Sequence, residues 1–251
     1  MGISYWIAGR NEDAITAYQE AIRLNPKDVR ACINLGAVYR YLGRYEDAVA
    51  ACREAIRLDP RNAIAYYQLG IDYGKLGRGE EQISAYLEAV RIDPQYAAAY
   101  NNLGVAYKIQ EHYTEAISAY KEAVRLNPKY TKAYINLGIA LSRSGNDQDA
   151  ICAYLEAIRL DPKNARAYTN LGAAYGDTGR YEEAVAAYRA AISLDPKLAA
   201  AYFNLGLTYQ QLQRCEDAIG AFEQYLELTP DDPYADHAAV QDWIQQLKIE
   251  K

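Results

Sequence analysis

The sequence predicts an all-α protein, a right-handed solenoid (superhelix) of repeated helix pairs, and three observations carry that prediction. Pro26, Pro60, Pro94, Pro128, Pro162, Pro196 and Pro230 stand 34 residues apart, and a fixed period of that size marks an array of stacked supersecondary units. Between consecutive prolines, apolar or small residues recur in two blocks, as in Tyr100, Leu103, Gly104 and Tyr107, then Ala116, Ile117, Tyr120, Ala123 and Val124. Each block traces one stripe of an α-helix. The break between blocks is usually Gly-Arg-Tyr, as at Gly43, Arg44, Tyr45 and Gly179, Arg180, Tyr181, where glycine supplies the left-handed residue that closes a helix.

Placing each proline at position 32 of its unit orders the whole chain. A repeat lacking its front comes first, 1–28, then six full repeats, 29–62, 63–96, 97–130, 131–164, 165–198 and 199–232, then a divergent ending, 233–251. In each repeat the Asn-Pro or Asp-Pro step stops the second helix, because proline disfavours α at the residue before it and lacks an N–H. Gly36, Gly70, Gly104, Gly138, Gly172 and Gly206 at position 8, with alanines at 20 and 27, let the helices approach closely. Most of the 25 tyrosines, against 2 Phe and 2 Trp, fall at positions 4, 11, 17 or 24 and fill the space beside them. In the ending, Pro233 suits a first helical position, and Val240, Trp243, Ile244 and Leu247 share one face. A C-terminal capping helix over the last repeat is expected there. The front end has no such cap, so a longer chain or another molecule is expected to cover it.

The totals exclude several classes. A net charge of -6 argues against general nucleic-acid binding. No apolar run approaches the roughly 20 residues of a membrane span, and the first residues lack the pattern of a secretory signal. Cys32, Cys52, Cys152 and Cys215 have no metal-ligand spacing and read as reduced, packed thiols of a cytoplasmic protein, with a Cys32–Cys52 bond between paired helices as the alternative. His112 and His237 are the only histidines. No HExxH, GxSxG or phosphate loop occurs, so neither catalysis nor a cofactor or metal is expected. The acidic pairs Glu46-Asp47 and Glu182-Glu183 open second helices, where the dipole favours them.

The pattern AYxNLGxxY…A…Y…A…P, as in Ala167, Tyr168, Asn170, Leu171, Gly172, Tyr175, Ala184, Tyr188, Ala191 and Pro196, resembles the tetratricopeptide repeat family over all but the ending. Departures are Cys32 at position 4, Leu141 at position 11 and Gln213 for the turn glycine. The resemblance implies first helices lining a concave groove that binds partner proteins.

Helical geometry places positions 2, 6, 9 and 13 opposite the core stripe of the first helix. Position 6 reads Asn34, Gln68, Asn102, Asn136, Asn170 and Asn204. A carboxamide both donates and accepts, and with helices about 10 Å apart these side chains would meet roughly every third residue of an extended peptide at about 3.3 Å each. The row resembles the asparagine ladder of O-GlcNAc transferase repeat domains. Bridging of adjacent helices is the competing use. Ile33, Tyr67, Ile71, Val105, Ile135, Ile139, Phe203 and Leu207 supply apolar groove surface, and Arg30, Arg40, Lys75, Lys108, Lys132, Arg143 and Arg166 outnumber Asp72 and Asp177. A groove of that balance would draw acidic segments. The chaperone-tail clamp of some family members needs a basic position 6, which is missing.

The expectation is therefore a non-catalytic scaffold binding an extended or helical, acidic segment of another protein, with no nucleic acid and no membrane insertion. Two alternatives are the substrate-recruiting arm of a larger enzyme and a module that self-associates through its uncapped N-terminal end.

Overall fold

A computed structural model describes residues 2–230 and 237–249, the side chain of Ile3 excepted; Pro233 lies outside the described residues. The chain divides into two compact units, 1–128 and 129–251. The first holds α1 (Gly2–Ile7), α2 (Asn11–Leu24), α3 (Val29–Tyr41), α4 (Tyr45–Leu58), α5 (Ala63–Lys75), α6 (Gly79–Ile92), α7 (Ala97–Ile109) and α8 (Tyr113–Leu126). The second holds α9 (Thr131–Arg143), α10 (Asp147–Leu160), α11 (Ala165–Asp177), α12 (Tyr181–Leu194), α13 (Ala199–Gln211), α14 (Cys215–Leu228) and α15 (His237–Ile249). Within each unit every helix packs on the next, and no strand occurs among the described residues. The all-α solenoid class is thus what the chain adopts.

The turns inside the hairpins close as the glycines require. Gly43 has φ 74°, its N–H donates to the Arg40 carbonyl, and the Arg44 N–H reaches back to the Tyr39 carbonyl at 2.9 Å, the paired bonds of a Schellman end. Glu111 and Gln213 hold the same turn at φ 61° and 57°, although a side chain there costs energy. The arginine after the turn lies over the position-11 ring, at 4.5 Å for Arg44 on Tyr39 and 4.3 Å for Arg180 on Tyr175, while pairing with Asp47 or Glu183.

Second-helix rings rest directly on first-helix glycines. A Cβ on Gly104 would meet the Tyr120 ring at 2.7 Å, and one on Gly172 the Tyr188 ring at 2.6 Å. These position-24 rings are buried, as are Tyr39, Tyr73 and Tyr209 at position 11. Those at position 4, such as Tyr100 and Tyr168, are only half-buried, so core filling is not shared evenly. In α15, Val240, Ile244 and Leu247 are buried in one cluster with Leu205, Ile219 and Phe222. Cys32 and Cys52 are free and buried.

Candidate functional site

All six position-6 carboxamides come out half-buried on their first helices, but their surroundings differ. In the first unit Gln68 and Asn102 are engaged, while Asn34 lines a cleft. Asn102 Nδ2 donates to the Tyr67 hydroxyl at 3.1 Å, and its Oδ1 accepts from Asn101 Nδ2 at 3.1 Å. Gln68 Oε1 accepts from Arg40 Nη1. Arg40 in turn grips both carboxylate oxygens of Asp72, with Nη2 to Oδ2 at 3.0 Å. Arg40, expected as a free cation of the groove, is therefore an internal partner, and Asp72, expected on the exposed face, is 0% exposed.

The reason lies in one volume exchange. Position 24 is Tyr18, Tyr86, Tyr120, Tyr154, Tyr188 or Phe222 elsewhere but Cys52 in α4. Where the ring is present, the facing position 10 of the next first helix is neutral, as at Val38, Ala106, Ala174 and Thr208; facing Cys52 it is Asp72. The thiol leaves room that the carboxylate occupies, and Cys52 Sγ donates to Asp72 Oδ2 at 3.5 Å. A buried carboxylate requires a cation and donors, and Arg40 with Cys52 supplies both. Burial pushes the Asp72 carboxyl above its ordinary range, with Arg40 pulling it back. Burial, then the Asp72 charge, drives the Cys52 thiol strongly up, so it stays a protonated donor.

The expected apolar strip is partly core. Tyr67 sits against Tyr96 at 4.9 Å and Tyr86 at 5.9 Å. Phe203, expected in the groove, packs on Tyr225 at 5.0 Å and near Phe222 and Trp243, because α15 brings its indole to that side. Ile33, Ile71 and Leu207 also lean on buried clusters, and Val105 is half-buried.

The second unit holds two open clefts on its first helices. A cleft of about 550 Å³ between α9 and α11 brings together Lys132, Ile135, Asn136, Ile139, Arg166 and Asn170, with Thr131, Asp161 and Asn164 at its edge. Lys132 and Arg166 are exposed and form no ion pair among the described residues. Between α11 and α13 a second cleft, about 430 Å³, is lined by Ala173, Asp177, Tyr181, Tyr188, Asn204, Leu207 and Gln211. The Asn170 and Asn204 side chains make no hydrogen bond among the described residues. In the first unit a cleft of about 460 Å³ gathers Arg30, Asn34, Asp28 and Tyr18, whose hydroxyl is buried without a partner among the described residues. Lys75 and Arg143 are exposed and Lys108 half-buried.

Among the described residues no three His, Cys, Asp or Glu side chains cluster as metal ligands. No helix there is long and apolar enough to cross a membrane.

Profiles described as tetratricopeptide repeat match residues 1–63, 33–97, 97–130, 119–151 and 199–232, and one described as TPR repeat matches 140–179 and 176–213. No curated protein sequence matches significantly. Among solved structures, the MamA protein is 30% identical over 68% of this chain and 93% of its own, with a TM-score of 0.63. YrrB, described as a TPR protein with an unusual peptide-binding site, is 25% identical over 76% of this chain and 98% of its own, TM-score 0.65. PilF of Pseudomonas aeruginosa, 21% identical over 90% of this chain and 100% of its own, has a TM-score of 0.70 and shares the fold.

Proposed function

The chain belongs to the tetratricopeptide repeat family, and on that premise we propose that it is a non-catalytic scaffold holding an extended, acidic segment of another protein in the α9–α11 cleft. The observation that carries this reading is the convergence there of Asn136 and Asn170 with Lys132 and Arg166 over Ile135 and Ile139. The carboxamides satisfy a peptide's backbone N–H and C=O whatever its side chains. The isoleucines remove apolar surface from water, and the two cations select a carboxylate and speed its approach. The peptide-binding site of YrrB, on the same repeat fold, supports this use of the solenoid.

Panning a display library of random peptides, about twelve residues long, against the chain and against Asn136→Ala/Asn170→Ala tests the reading. Enriched peptides should carry an acidic residue and bind the double variant about thirtyfold more weakly, since each of at least two lost hydrogen bonds is worth about 1 kcal/mol. Equal binding to both proteins would remove the cleft as the grip.

A further inference from the structure

The second cleft of the same unit carries the opposite charge. Asp177 is the last residue of α11, so its carboxylate stands at the negative end of that helix, where acids are disfavoured. Burial, and after it the nearby Asp147 at the start of α10, hold its carboxyl above the usual range. No described residue forms an ion pair with it. The equivalent residues of other first helices, Tyr41, Lys75, Ile109, Arg143 and Gln211, are neutral or basic. Asp177 is exposed to the cleft, and an acid set against a helix end and a like charge, with no cation of its own, would gain from an incoming cation. Tyr181 and Tyr188 wall the same cleft, and Asn204 adds a carboxamide that can accept from an ammonium or guanidinium.

We infer that the α11–α13 cleft takes a lysine or arginine side chain of the same segment whose carboxylate is held by Lys132 and Arg166. The inference rests on the peptide-binding reading above and adds to it a second, opposite charge at a set distance. Arg166 and Asp177 lie on one helix, eleven residues apart, about 16 Å at 1.5 Å per residue. That span is about five residues of extended chain at roughly 3.3 Å each. The bound segment is therefore zwitterionic, with an acidic and a basic residue four to six positions apart, and a purely acidic tract is a poorer ligand.

The same random-peptide selection, sequenced in full and repeated on Asp177→Asn and Arg166→Gln, decides this. The native chain should enrich peptides with an acid and a base about four to six residues apart. Asp177→Asn should lose the enrichment of the base and keep that of the acid, and Arg166→Gln should do the reverse. Individual selected peptides should bind Asp177→Asn about two- to fivefold more weakly, the worth of one exposed ion pair. Acidic peptides enriched without a base, or bases retained on Asp177→Asn, would overturn the inference and leave the α9–α11 grip standing. Peptides indifferent to Asn136→Ala/Asn170→Ala would overturn the grip itself, and a library yielding no binder would overturn both.

Discussion

Carboxamides at one repeat position have different surroundings: Gln68 and Asn102 are tied to Arg40, Tyr67 and Asn101, while Asn34 in the first unit and Asn136 and Asn170 in the second line open clefts. The difference traces to what faces the row. In the first unit Cys52 admits Asp72, Asp72 captures Arg40, and Arg40 captures Gln68. In the second, Tyr154 faces Ala174 across the corresponding contact, no charged side chain is buried among the described residues, and Lys132 and Arg166 remain at the surface. A repeat position acquires its role from its neighbours in space.

The strongest way to break that contrast is to remove one member of the buried pair. Arg40→Ala leaves Asp72 buried without its cation and should cost about 3–5 kcal/mol, against a change within about 0.5 kcal/mol for the exposed Arg166→Ala. Urea unfolding followed by circular dichroism measures both. The combined replacement Arg40→Ser/Cys52→Tyr/Asp72→Ala, which restores the residues found around Tyr154 with Ser142 and Ala174, should be neutral or stabilising. A loss above about 2 kcal/mol in that triple variant would refute the volume-exchange account.

Glycine substitutions sharpen the same comparison at a smaller scale. Gly172→Ala pushes a Cβ to 2.6 Å from the Tyr188 ring, whereas at Gly36 the nearest atom is the Cys52 sulfur at 3.3 Å. The first change should cost about 1–3 kcal/mol by overpacking and the second less than about 1 kcal/mol, read from the same unfolding curves. Equal costs would mean that the thiol site is as tightly filled as the ring sites.

Next in size is the carboxamide row itself. Beside the roughly thirtyfold loss expected for Asn136→Ala/Asn170→Ala, the pair Gln68→Ala/Asn102→Ala should change peptide affinity less than about twofold, because those amides are held by Arg40, Tyr67 and Asn101 and lie outside the α9–α11 cleft. Isothermal titration with a selected peptide checks both variants.

The architecture was legible because it is written seven times over: proline spacing, the glycine turn and the two helical stripes repeat in register, so local and global signals agree. The cleft residues Lys132, Ile135, Asn136, Ile139, Arg166 and Asn170 were legible from helical geometry alone, since neighbouring first helices repeat one face. The Arg40–Asp72 pair was not. Position 12 of α3, position 24 of α4 and position 10 of α5 meet only through packing between repeats, and a count of charges on a helical wheel treats each as free. The signal was present as a coincidence of exceptions, the one cysteine at position 24 beside the one acid at position 10. Phe203 was misplaced for a similar reason, because its surroundings include α15, which lies outside the repeat pattern.

The smallest expected effect concerns Asp177. Its carboxyl is held above the ordinary range in the folded chain, so between the unfolded and the folded pKa the native state binds more protons, and stability falls as pH rises through that interval. At neutral pH the ionised side chain opposes folding slightly, and below the unfolded value near about 4 the opposition vanishes. Asp177→Asn should therefore stabilise the free protein at pH 7 by at most about 0.5 kcal/mol, the scale of an exposed charge at a helix end, and by nothing at pH 3. Arg143→Gln, at the same repeat position of α9, removes a charge that suits its helix end and should act in the opposite direction. Thermal melts of the two variants at both pH values, with and without a bound zwitterionic peptide, set these signs against each other. If the carboxylate is kept for a ligand cation, the peptide should raise the melting temperature of the native chain more than that of Asp177→Asn, reversing their order in the free state.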